Sequence, residues 1–130
     1  MSGGVMTFTD VHGLLGRSFL FFSALITLWA LLQTVRGREI GGDFWGAVAI
    51  GEGLIVLQTI VGIILVLQHR MPARPIHFVY GGVALLLWPA VFAFTRGDTS
   101  RRAGLWWLLA SAFLFGVSLR AIMTAGRGIF

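Results

Sequence analysis

Residues 54–68 read LIVLQTIVGIILVLQ, and GAVAIGEG at 46–53 leads into them. Apolar residues here run continuously and do not alternate with polar ones, which excludes a half-exposed strand or a barrel strand. A helix needs about 20 mostly apolar residues to cross a bilayer core of roughly 30 Å. This stretch therefore predicts a membrane-spanning helix from Phe44 to Gln68.

Working outward, VALLLW at 83–88 belongs to a second such run, from His77 to Thr95. Two more extend from His12 to Val35 and from Leu105 to Ala125. The first is expected to be a span and not a cleaved signal, because no basic stretch precedes it and no small-x-small cleavage site follows. The connections are RGREIGGD (36–43), HRMPARPI (69–76) and RGDTSRRAG (96–104). Links this short make consecutive helices antiparallel neighbours. The expected fold is all-α: a four-transmembrane-helix antiparallel bundle, with 1–130 forming a single integral membrane domain.

Composition agrees. Of 130 residues, 57% are hydrophobic and only 12% are charged, against about 25% charged in an ordinary soluble domain. Mean hydropathy is +0.88. All ten basic residues are arginine, and cysteine is absent, which excludes disulfides, thiolate metal sites and thiol nucleophiles. The net charge of +5 comes with no basic run longer than Arg101-Arg102, so nucleic acid is not an expected partner. The glycines of GGDFWGAVAIGEG are no phosphate loop, since no GK[ST] follows them. No serine, histidine and acid form a recognisable catalytic set, and no enzymatic activity is expected.

Four crossings place both termini on one face of the membrane, here side A, together with the 69–76 loop. The other two loops lie on side B. Among flanking arginines, Arg36, Arg38, Arg96, Arg101 and Arg102 favour side B as cytoplasmic. The expected setting is a bacterial inner membrane with extracytoplasmic termini. Trp45, Trp106 and Trp107 read as interface anchors on side B.

Lipid gives helices no hydrophobic reason to associate, so small residues are expected where they pack. Candidate packing stripes are Gly51, Gln58, Gly62, Leu65 and His69 in the second span; His77, Tyr80, Gly81, Ala84 and Trp88 in the third, before a kink at Pro89; and Phe113, Gly116 and Arg120 in the fourth, continued by Arg127. The first span offers Gly13, Gly16 and Arg17, then Ser23, Thr27 and Ala30.

Ionisable groups inside a membrane cost roughly 2.5–3.5 kcal/mol at the centre and mark functional sites. Arg17, Glu52 and Arg120 lie inside spans. Arg17 sits about 7.5 Å along its helix from His12, Arg120 a similar distance from side A, and Gln58 at nearly their depth. His12, His69 and His77 all belong to side A. One half of the bundle thus collects three imidazoles, two guanidinium groups, an amide and Tyr80.

Three chemistries use such a set. Two imidazoles on facing helices can ligate a haem b iron, with Arg17 and Arg120 taking the anionic propionates and Gly62, Gly81 and Gly116 leaving space for a flat macrocycle. A quinone site would take hydrogen bonds from an imidazole or Tyr80, with Glu52 or a histidine relaying protons. An anionic lipid headgroup would be held by Arg17, Arg120 and Arg70. Ordinary helix packing and snorkelling arginines account for the same residues without any site.

HGLLGR at the head of one helix, with HFVYG at the head of another, resembles small four-helix bacterial membrane proteins, mostly uncharacterised. The layout is also similar to membrane b-type cytochromes and to the anchor subunits of respiratory dehydrogenases. That resemblance implies His12, His69 and His77 as axial-ligand candidates, although such cytochromes usually bury their ligands a turn or more deeper. Small multidrug transporters share the size, but their essential glutamate is in the first helix, whereas Glu52 is in the second. Four-helix fluoride channels depend on a pore asparagine, and this chain has none.

The function expected is a membrane subunit or small cytochrome-like protein supporting electron transfer, with a haem or quinone site at side A. A dimeric transporter or channel using Glu52 is the alternative, and a structural subunit filling a groove in a larger complex is the third. The partners implied are membrane lipids with either other membrane subunits or a second copy of the chain.

Overall fold

The computed structural model describes residues 5–126. Helices α1 (Phe8–Val35), α2 (Gly42–Leu67), α3 (His77–Thr95) and α4 (Arg101–Thr124) form an all-α four-helix bundle. Each is long and apolar enough to cross a membrane. Their outward faces fit that role: Leu25, Ile50, Leu86, Leu109 and Phe113 are among many large apolar side chains left exposed, more than a water-soluble monomer carries in contiguous patches.

α1, α2 and α4 begin earlier than hydropathy predicts, and in α1 and α4 polar caps start them. Thr7 caps α1 with a reciprocal pair of bonds. Its hydroxyl accepts the Asp10 N–H, and the Asp10 carboxylate accepts the Thr7 N–H, both at 3.1 Å. The Ser100 hydroxyl accepts the Ala103 N–H at the head of α4. Just before it, the Ser100 backbone N–H, and then its hydroxyl, hold the exposed Asp98 carboxyl below the ordinary carboxylate range.

The ends of the bundle are tied crosswise. On side B, the Ile40 N–H donates to the Thr99 carbonyl and Arg101 Nε to that of Thr34. On side A, the Arg74 N–H donates to the Thr124 carbonyl, closing the end of α4. This link joins the 69–76 loop to the end of α4, and a bond from Arg70 to Thr9 adds the head of α1, as antiparallel connectivity requires.

His69 has φ +61°, in the left-handed region. Its N–H donates to the Val66 carbonyl and the Arg70 N–H to the Leu65 carbonyl, the paired bonds of a Schellman cap. The side chain is exposed. A non-glycine residue in that conformation costs about 1 kcal/mol or more. His69→Gly is therefore expected to raise the resistance of the bundle to SDS-induced unfolding, followed by circular dichroism. A loss of stability would contradict the capping role.

Around the bundle, α1 packs against α2 and α4, and α3 packs against α4, while α2 and α3 meet least. An aromatic core fills the centre and the side-B half. Phe19 stands edge-on to Trp88 at 5.7 Å between ring centres, and Phe44 to Trp107 at 6.1 Å. The Trp88 indole N–H donates to the Ser111 hydroxyl at 3.1 Å, both residues being buried. Trp107 is only 1% exposed, so it is a core residue and not an interface anchor. Trp106, its neighbour in sequence, is the one that faces outward.

Other expectations shift likewise. The helix α3 runs unbroken through Pro89. Phe113, Gly116 and Arg120 lie on an exposed face of α4, and a Cβ at Gly116 would meet nothing within 4 Å. Arg127 lies outside the described residues.

Candidate functional site

The side-A half of the bundle is hollow. A cavity of about 700 Å³ lies between the four helices and the 70–72 segment, within the range of small-molecule sites. Its walls are mostly apolar. Ile63 and Leu67 on α2, and Phe78 and Gly82 on α3, line the cavity and are exposed. Arg70 and Met71 of the adjoining segment also line it and are exposed, so the mouth runs along the gap between α2 and α3, the neighbouring helices that meet least, and opens both sideways and toward the side-A loop.

The α1–α2 wall is built by a reciprocal fit. His12 and Gly16 are one turn apart on α1, and Gln58 and Gly62 are one turn apart on antiparallel α2. A Cβ on Gly62 would stand 3.1 Å from His12 Cε1, and one on Gly16 would stand 3.1 Å from Gln58 Nε2. Each glycine is thus a notch that seats the other helix's polar side chain.

His77 opens α3 and is held from α4. Its Nδ1 lies 2.7 Å from the Ala121 carbonyl oxygen. A carbonyl only accepts, so Nδ1 carries a proton in this contact. The His12 and His77 ring centres are 6.2 Å apart, with the planes at 69°.

Arg17, Arg70 and Ser118 complete the polar lining. Arg70 Nη1 donates to the Thr9 hydroxyl at 3.4 Å, tying the loop to α1. Ser118 is 5% exposed, and neither its Oγ nor Gln58 Oε1 has a hydrogen-bond partner among the described residues. Among the described residues, none that lines the cavity is acidic.

Of the residues expected at a site, His12, Arg17, Gln58 and His77 come together on this wall, and Gly62 and Gly81 border it. Five do not join them. His69 caps α2. Arg120 is exposed on α4, its guanidinium carbon 5.8 Å from the Tyr80 ring centre, so this pair sits together away from the cavity. Glu52 is half-buried toward side B, and its buried Oε1 has no hydrogen-bond partner among the described residues. Gly116 faces open space.

Among the described residues no three histidines or acids converge as metal ligands. At the cavity, the two imidazoles of His12 and His77 are the pair placed to share a metal. Two metal–imidazole bonds of about 2 Å each, added to the reach from ring centre to nitrogen, match their separation.

No protein family, curated protein or solved structure matches this chain. The chemistry of the cavity must therefore carry the functional argument.

Ser118 is a wall residue that the sequence patterns passed over, and Arg70, expected only as a partner of an anionic lipid headgroup, lines the same cavity. Ser118 was legible in principle. It lies two turns beyond Ser111 on α4, and Ser111, Leu114 and Ser118 share the buried face.

Proposed function

We propose that the chain is an integral membrane subunit that supports electron transfer by holding a lipid-soluble quinone in the side-A cavity. The observation that carries this is the sideways mouth between α2 and α3 on a cavity whose polar groups gather at its inner wall. A quinone has the same polarity profile. Its ring oxygens accept hydrogen bonds, its ring packs against apolar side chains, and its isoprenoid tail belongs in lipid. Arg17, Gln58 and Ser118 offer donors to the ring, and Ile63, Leu67 and Phe78 flank the path of the tail. The setting we infer is a bacterial inner membrane with side A extracytoplasmic, where the chain would serve as one subunit of a larger redox complex.

Decylubiquinone titrated into nanodiscs containing the protein tests this, since Trp88 stands against Phe19 of the cavity wall. Saturable quenching of tryptophan fluorescence is expected. Gln58→Leu should weaken it by about fivefold to tenfold, the worth of one hydrogen bond of roughly 1 kcal/mol. Quenching no different from simple partitioning into empty nanodiscs would exclude the site.

A second reading is a haem b between His12 and His77. It is favoured by the 6.2 Å ring separation and by the bond that places a proton on His77 Nδ1, the arrangement usual for ligating histidines. Arg17 and Arg70, and not Arg120, would take the propionates. A Soret band on adding haem, lost in His77→Ala but kept in His69→Ala, would select this reading over the quinone.

A further inference from the structure

Ionisable side chains inside a span almost always face the bundle interior or a water-filled cavity, yet Arg120 is exposed on the outer face of α4. It stands four residues before Thr124, the last residue of α4, which is about 6 Å inside the side-A end. Tyr80 stands three residues into α3, at nearly the same depth. Its ring centre is 5.8 Å from the Arg120 guanidinium carbon, a cation–π contact that steadies the guanidinium group without using its N–H donors. Among the described residues those donors make no hydrogen bond or ion pair. Deeper on the same face the surface falls away. Gly116, one turn before Arg120, is exposed, and a Cβ there would meet nothing within 4 Å. Phe113 and Leu109 continue the stripe toward the centre and are exposed. From rim to centre this face offers a cation, a notch without a side chain and an apolar floor. A phospholipid has the same order of groups: phosphate, glycerol and acyl chain.

We propose that the outer α3–α4 face binds one anionic phospholipid, with its phosphate on Arg120 and an acyl chain along Gly116 and Phe113. The site is separate from the cavity and does not depend on the quinone reading. A guanidinium group meets two phosphate oxygens at once through its planar fork of N–H donors, and its apolar stem carries it toward headgroup level. In phosphatidylcholine the phosphate is offset by the choline beside it. In phosphatidylglycerol it is not, so the arginine selects the anionic lipid. At about 6 Å from the helix end, Arg120 has surrounding lipid phosphate within its reach, and no partner chain is needed to supply the anion.

The test uses the full chain, delipidated in detergent and titrated with phosphatidylglycerol or phosphatidylcholine of identical acyl chains, with bound lipids counted by native mass spectrometry. One phosphatidylglycerol is expected to bind about fivefold more tightly than phosphatidylcholine, the worth of one basic residue near a membrane surface. Arg120→Gln should bring the two lipids to equal affinity. Gly116→Leu keeps the charge but fills the notch, and should weaken phosphatidylglycerol binding about fivefold or more. It also gives an independent reading where Arg120→Gln folds poorly by circular dichroism. Arg38→Gln, an exposed change on side B, should leave the preference intact. A preference that survives Arg120→Gln, binding indifferent to Gly116→Leu, or an equal loss in Arg38→Gln overturns the inference. So does the absence of any preference for phosphatidylglycerol, which would leave Arg120 to an acidic residue of a partner chain.

Discussion

Gly51→Leu is expected to cost the bundle about 3 kcal/mol, the upper end of what overpacking a close-packed core costs. A Cβ at this position would stand 2.6 Å from Trp88 Cζ3 and 2.7 Å from Phe22 Cε1. Trp88 cannot retreat, because it is 1% exposed, stands edge-on to Phe19 and donates to Ser111. The strain therefore spreads to α2, which is levered off the aromatic core. In lipid, contacts of this kind are the main force holding helices together, so nothing compensates for their loss. SDS titration followed by circular dichroism measures the effect. Gly53→Leu, two residues on, has nothing within 4 Å of its Cβ position and should be close to neutral. Equal sensitivity at the two glycines would contradict the placement of the α2 faces.

Gly62→Leu is expected to abolish quinone binding, a loss of about a hundredfold or more, with a smaller effect on stability of roughly 1–3 kcal/mol. Its Cβ would meet His12 Cε1 at 3.1 Å, tighter than ordinary contact, and the rest of the side chain would occupy the seat of the imidazole. Both residues line the cavity, so an expelled ring and an added isobutyl group fill the space meant for the ligand. Decylubiquinone quenching provides the measurement. Gly116→Leu, on the open outer face of α4, serves as the control and should bind normally. Normal binding in Gly62→Leu would mean that the ligand does not use this cavity.

The contrast between these glycines shows what the sequence made legible. Hydropathy located all four spans, and α3 matches its expected bounds at His77 and Thr95. Depth was legible too, because distance along a helix is 1.5 Å per residue whatever surrounds it. His12, Arg17, Gln58 and His77 were therefore grouped at one end, and they meet there. Rotation about each helix was much harder to read. In water an amphipathic stripe reveals which face points inward, but lipid and core are equally apolar. Trp106 and Trp107 look alike in sequence, and only one is buried. Arg120 has the right depth, but Ser118, Ala121 and Ile122 share the cavity side of α4, so its guanidinium points away to Tyr80. His69 was misleading for a different reason. Its place at a helix end suited a ligand, yet the left-handed turn of a C-cap, usually glycine, turns it outward.

The most direct test of a laterally open quinone cavity is photolabelling with an azido-quinone in nanodiscs, with the adducts mapped by mass spectrometry. Labels are expected on the facing walls of α2 and α3, at Gly62–Val66 and His77–Leu85, and should be competed away by decylubiquinone. Labels spread over outward faces such as Leu105–Phe113 and insensitive to competition would contradict it, leaving the side-A hollow without a quinone.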